Sequence, residues 1–331
     1  MTPSWEAAAV RLRERERWKS PETVFWCAAL VAPFVLPDDH LFLSQIAILG
    51  LFCLSLDLVL GIAGILSLGQ AAFFGLGGYT AGLFAIHVDG DPLLGLVVAM
   101  VATSLLGVLA APLLLGGRDL TRLLITVAVA GILYEAANKW SAVTGGVDGL
   151  QGIVIAPLFG KIEFDLGGTV AYWYALAVLF LVFLGLRRLK SSPFGLALAG
   201  IRLNPQRMPA LGVPVDRRLT VAYAIGGAVA GIAGALLAQT TQFVSLDALS
   251  FHRSAELMLI LVLGGAGNLY GALLGAIVFS VAHHLLSEIN PMYWQFWMGT
   301  LLILIVLFAK DGLTGGLSRL RDHLWKGGTA P

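Results

Sequence analysis

Apolar runs of about 20 residues, the length needed to cross ~30 Å of hydrocarbon as a helix, recur along this chain from residue 22 to residue 309. Such runs leave few architectures open. A backbone surrounded by lipid must satisfy its own hydrogen bonds, so it folds as helices or as a closed barrel. A barrel would show alternating segments of about 10 residues, and the sequence has none. Only 12% of the 331 residues are charged and 58% are hydrophobic, against about a quarter charged in a soluble domain. The pattern predicts an all-α polytopic membrane protein.

The runs divide into about ten membrane segments, at 22–37, 42–60, 70–88, 93–115, 121–141, 169–187, 219–243, 255–267, 271–287 and 294–309. The segment at 255–267 is too short for an ordinary crossing, so some segments are expected to be broken or re-entrant. That is tolerated only inside protein or beside a wet cavity. Arg11, Arg13, Arg15, Arg17 and Lys19 precede the first run, Val24–Leu36, as they would in a signal peptide. No small-x-small cleavage site follows, and the run reads as a retained first span.

Cytoplasmic loops concentrate Lys and Arg. With Arg122 and Arg187 at their flanks, segments 1–21, 61–69, 116–120, 188–218, 268–270 and 310–331 hold 18 of the 21 basic residues. Lys139, Lys161 and Arg253 are the exceptions, and Asp38, Asp39, Asp89, Asp91, Asp148, Asp165 and Asp247 crowd the other side. Both termini are therefore placed in the cytoplasm. The expected organisation is an N-terminal tail over 1–21, a membrane domain over 22–309 with a cytoplasmic loop at 188–218 and an outer loop at 142–168, and a C-terminal tail over 310–331.

Small-xxx-small spacing marks close helix contacts in lipid, and it occurs at Gly78/Gly82, Gly227/Gly231 and Gly267/Gly271/Gly275. The cluster GIAGILSLGQAAFFGLGGYTAG (61–82) is denser still and carries Ser67 and Gln70 at a span boundary. It reads either as tight packing or as a broken helix beside a solute pathway. Asp57, Glu135, Glu256, His283 and His284 are the ionisable groups in or beside spans, where charge is costly and points to a pathway or to pairing. Glu135 is the candidate pathway residue, with a hydrogen bond to a neighbouring helix or the interface as the alternative. His283 and His284 are adjacent and point to different helix faces, which disfavours a metal site. Cys27 and Cys53 lie in apolar runs as small core residues. The stretch LSLGQ (66–70) approaches an ATPase signature, but no GxxxxGK[ST] loop occurs in the chain. No catalytic set, cofactor motif or nucleic-acid surface is found.

Residues 187–218 carry seven Lys/Arg against one acid, Asp216. Asn204 before Pro205 is a good N-cap/N1 pair, and Gly212 after Leu211 is a good terminator, which predicts a short helix from about residue 205. Pro209 conflicts with its hydrogen bonding. Topology and anionic headgroups explain Arg187, Arg188, Lys190, Arg217 and Arg218. Arg202 and Arg207 are the better candidates for partner contact.

Four stretches together resemble the LivM-like permeases of high-affinity branched-chain amino acid ABC importers, a family that includes urea and amide permeases. They are 61–82, TGGVDGLQGI (144–153), SPFGLALAGIRLNPQRMPALGV (192–213) and LGGAGNLYGALLGA (263–276), and AYAIGGAVAGIAGALLA (222–238) is similar to the span after the family's cytoplasmic loop. The resemblance implies a multi-pass subunit of the bacterial inner membrane with no ATPase activity of its own. It would be paired with a LivH-like permease, two cytoplasmic ATPase subunits and a periplasmic solute-binding protein, and would work by alternating access. It also implies ATPase docking at Arg202–Gly212, including Asn204, Pro205 and Arg207. The outer stretch 144–153 would face the binding protein. Cargo is left between branched-chain amino acids, urea and short amides, and an ion-coupled carrier using Asp57 and Glu135 is the alternative of another class.

Overall fold

The computed structural model describes residues 20–289, apart from 118, 159 and 166, together with scattered positions between 293 and 315. The main helices are α1 (Ser20–Val35), α2 (His40–Leu56), α3 (Gln70–His87), α4 (Pro92–Leu115) and α5 (Asp119–Lys139). They are followed by α6 (Thr169–Ser191), α7 (Pro193–Leu203), α8 (Val215–Thr241), α9 (Phe251–Gly264) and α10 (Leu269–Ile289). Among the described residues there is no strand, only two isolated bridges, Leu150 with Val244 and Leu158 with Ile162.

Six of these helices are long and apolar enough to cross a membrane: α2 with its extension to Ile62, α4, α5, α6, α8 and α10. The segment expected at 22–37 is α1, of 16 residues. That at 70–88 is α3, whose glycines and polar ends, Gln70 and His87, dilute its apolarity. The short segment expected at 255–267 is the 14-residue α9. Most of 294–309 lies outside the described residues, as do the first 19 residues.

Helix α8 is the axis, with α2, α3 and α4 packed around it. Lipid is as apolar as leucine, so close backbone approach has to hold such helices together. The sequence of α8 provides for this. A Cβ on Gly234 would run into the carbonyl of Phe74 in α3, and one on Gly231 into Thr103 of α4. α9 and α10 form a hairpin in which the backbones of Gly264, Gly271 and Gly275 touch. The spans of α2 and α8 are each 78% buried, whereas those of α4 and α5 are 28% and 17% buried, so one flank of the bundle is uncovered apolar surface.

The two ends differ in charge. One gathers Arg187, paired with Glu22 at 2.8 Å, together with Lys190 and Arg202. The other carries Asp91, which caps α4, and Asp165, which accepts the Thr169 and Val170 amides at the start of α6. There Leu150 bridges to Val244 and the Ala156 amide donates to the Gly90 carbonyl. Below this acidic end, Gln239 of α8 donates to the Pro92 carbonyl at 2.7 Å and accepts from Tyr174 of α6 at 3.0 Å, tying three helices together.

Candidate functional site at the broken second span

Helix α2 does not end cleanly. After Leu56 the chain continues as a π-helical segment, Asp57–Ile62, unwinds over 63–69, and starts α3 at Gln70. Single π turns are frequent at functional sites. The sequence explains the break locally. Gly61 and Gly64 are poor helix formers, and Gly64 takes φ +76°, a left-handed conformation natural to glycine.

Asp57, at the start of the break, is fully buried. A carboxylate there needs a partner, and Oδ1 accepts from the Gly267 amide at 2.5 Å. Gly267 lies in the α9–α10 turn with φ +87°. Its carbonyl accepts from Lys190 Nζ at 2.7 Å, at the end of α6. The guanidinium of Arg202, in the last turn of α7, donates to the carbonyl of Gly61. Its stem packs on Gly64. Three remote pieces of chain thus meet at one junction: the broken span, the α9–α10 turn, and the helix of the basic loop.

Ser67 and Gln70, expected beside a pathway, lie within the break and are buried. Gln70 Nε2 donates to Ser55 Oγ at 3.1 Å and to the Gly226 carbonyl at 3.4 Å. Ser67 Oγ accepts from the Gly69 amide at 3.4 Å. Thr126 of α5 accepts from the Leu68 amide and Ser254 of α9 from the Ala71 amide. The amides that the lost helical turns leave free are therefore taken up by hydroxyls, Ser67 within the motif and Thr126 and Ser254 from neighbouring helices, while Gln70 ties the break to α2 and α8. Glu135 is not with them. It is exposed on α5.

The basic loop folds differently from the expectation. A helix from about residue 205 is absent, and the helix lies upstream as α7, Pro193–Leu203. Ser192–Pro193 wins because Ser192 Oγ accepts the Gly195 amide at 3.3 Å with proline at the first helical position. Downstream, Pro209 bars a continuous helix. Asn204 caps only a turn, its Oδ1 accepting the Arg207 amide at 3.2 Å. A short 3-10 turn, Pro209–Leu211, then stops at Gly212 with φ +77°. Asn204 is half-buried, while Pro205, Arg207 and Gly212 are exposed. Of the two arginines expected to contact a partner, Arg207 is thus open and Arg202 is engaged within the chain. His283 and His284 do point apart: the first ring stacks near Phe279 and the second near Phe42.

Sequence reasoning marked Asp57 as a deep charge but not its partner. It assigned Lys190 to topology and anionic headgroups. Both bonds end on the backbone of Gly267, more than 70 residues away in either case, and a backbone amide or carbonyl leaves no sequence signal.

Residues 40–308 match the family described as branched-chain amino acid transport system / permease component. The chain is 30% identical over 288 residues to the high-affinity branched-chain amino acid transport system permease protein LivM of Salmonella typhimurium, covering 78% of this chain and 66% of that one. It is 29% identical over 287 residues to the LivM protein of Escherichia coli, with the same coverages of 78% and 66%. It is also 26% identical over 287 residues to the LivH permease protein of Salmonella typhimurium, covering 80% and 90%. The chain thus spans about two-thirds of the length of these LivM relatives. No solved structure gives a match.

Proposed function

Because the chain belongs to the branched-chain amino acid transport system permease family, we propose that it is the membrane-spanning subunit of an ABC importer that moves branched-chain amino acids inward. A LivH-like second permease, two cytoplasmic ATPase subunits and a periplasmic binding protein complete the assembly in this reading. The relatives' transport functions and the multi-pass helical architecture support it. The basic end faces the cytoplasm with both termini, and the remaining segments at 22–37, 70–88, 255–267 and 294–309 complete about ten passes or partial passes. The uncovered flank of α4 and α5 is available to the second permease or to lipid.

One observation carries the mechanism. Arg202, on the helix of the basic loop, holds a carbonyl of the broken span. A cytoplasmic ATPase gripping the loop at Pro205, Arg207 and Gly212 would pull on α7, and α7 is bonded to the break. Alternating access needs such a link between a moving partner and a bistable element. An ion-coupled carrier would instead need Asp57 and Glu135 to converge, and these are buried against Gly267 and exposed on α5, respectively.

The test is the assembled importer in vesicles. Arg207→Glu with Pro205→Ala should lower ATP-driven uptake of leucine while the assembly still forms. Arg202→Met should leave ATP hydrolysis running with less uptake per ATP. Uptake and stoichiometry equal to the unmodified assembly in both variants would refute this coupling route.

A further inference from the structure

Three ionisable side chains outside the junction, Arg253, Glu256 and His283, meet in one cleft. Arg253 is a cation on the side of the molecule where cations are scarce, and Glu256 and His283 lie in or beside apolar segments. All three line a cavity of about 260 Å³ among α2, α3, α8, α9 and α10. Pockets for drug-sized ligands run about 300–1,000 Å³, so this one suits a solute the size of a single amino acid.

The lining has two characters. One wall is aromatic, made by Phe42, Phe52, Phe74 and Phe279. The other is polar, with Gln45 and Ser280 flanking an ion pair. Arg253 Nη1 meets Glu256 Oε2 at 2.9 Å, one turn apart on α9, and Ser250 caps that turn by accepting the Arg253 amide at 3.2 Å. A guanidinium presents five donors in a rigid fork, of which Glu256 takes one. Gln45 also borders a second cavity of about 280 Å³, lined by Leu41, Thr240, Thr241 and Gln242 at the acidic end. Gln45 thus stands between the cleft and this second cavity.

We propose that this cleft is a solute-binding site within the permease itself, taking zwitterionic α-amino acids with apolar side chains. The proposal rests on the importer reading above. Adjacent opposite charges are the complement of a zwitterion: the solute carboxylate takes the free donors of Arg253 and its ammonium takes the open oxygen of Glu256. The side chain then lies on the phenylalanine wall and leaves water. Urea or a short amide has neither the paired charges nor the apolar tail, and gains little from either wall.

The experiment is equilibrium binding of radiolabelled L-leucine to the full-length chain in lipid nanodiscs. Saturable binding is expected, displaced by L-valine and not by urea or acetamide. Arg253→Gln and Glu256→Gln should each weaken it by about tenfold to a hundredfold, the scale of one charge-assisted hydrogen bond. Arg253→Lys, which keeps the cation but loses the fork, should fall between. Phe279→Ala should shift preference from valine toward L-phenylalanine, a change that a merely misfolded variant would not produce. Absent leucine binding, displacement by urea, or equal affinity in all variants would overturn the site. ATP-driven uptake by the assembled importer separates the two readings. Uptake with the same concentration dependence in both charge variants removes the cleft and keeps the importer. Leucine bound at the cleft without ATP-driven uptake removes the importer and keeps the cleft.

Discussion

Arg202→Met isolates the bond that ties the basic loop to the broken span. Methionine keeps an unbranched stem to pack on Gly64 and removes the guanidinium that holds the Gly61 carbonyl. A hydrogen bond from a charged donor contributes about 1.5–3 kcal/mol. Arg202 is mostly exposed, and water competes for both groups, so the lower end, about 1–2 kcal/mol, is the expectation. The loss is local, because the break is sealed by further bonds at Gln70, Leu68 and Ala71. One to two kcal/mol corresponds to a roughly 5- to 30-fold change in an opening equilibrium. Hydrogen exchange read by mass spectrometry on the full chain in nanodiscs measures it directly. The amides of Ala63 and Ile65, which donate to Leu58 and Val59, should exchange faster by that factor, while α8 amides keep their protection. Lys190→Met acts on the same junction through Gly267, so the two substitutions together should depart from additivity by about 0.5 kcal/mol or more. Unchanged exchange over 58–70, or an equal rise throughout the bundle, would show that Arg202 does not hold the break.

Gly234→Ala should lower the melting temperature, since its Cβ meets the Phe74 carbonyl and overpacking costs about 1–3 kcal/mol; Gly131→Ala, with no atom within 4 Å of the new Cβ, should not lower it. Ser192→Ala removes the cap of α7 and should raise exchange over its first turn at a cost of about 1 kcal/mol, whereas Asn204→Ala should loosen only the turn to Arg207. Asp165 accepts the amides of Val170 and Thr169 at the start of α6, and the Val170 bond above all holds its carboxyl below the ordinary range. Its contribution is present above the unfolded carboxyl value of about 4 and is lost as pH falls through the lower folded value. Asp165→Ala should therefore melt lower at pH 7, with the gap closing in acid.

How legible this was depended on the range of each interaction. The break over 57–69 was partly readable because its cause is local: glycines and two polar residues crowd a span boundary, a pattern that fits tight packing or a broken helix, and the chain unwinds there. The short α9 was readable for the same reason. The basic-loop helix was misplaced by a contest between two local signals, Asn204–Pro205 and Ser192–Pro193, and Pro209 decides it by blocking helix only downstream. The roles of Ser67 and Gln70 were less readable. Their polarity is the same whether they face a solute or the backbone of a neighbour, and only the position of Gly226 and Ser55 distinguishes the two. Glu135 reads as a pathway candidate because it lies in an apolar run, yet hydropathy does not say which side of a helix is covered.

The junction and the cleft are built on the same elements. α2 contributes Phe42, Gln45 and Phe52 to the cleft and then, within two turns, becomes the π segment that Arg202 holds. α9 carries Arg253 and Glu256 in its first two turns, and its far end leads into the turn where Gly267 binds Asp57 and Lys190. At 1.5 Å per residue, the 14 residues of α9 span about 21 Å, so one rigid helix reaches from the polar wall to the latch. Packed helices shift as units because their interiors tolerate few voids. A displacement of the α9–α10 turn that frees Gly267 from Asp57 at the basic end is therefore also a displacement of the Arg253–Glu256 pair against the phenylalanines of α2. The polar residues that are expensive in a bilayer stand at the two ends of this one helix, where they either fasten it or face the cleft.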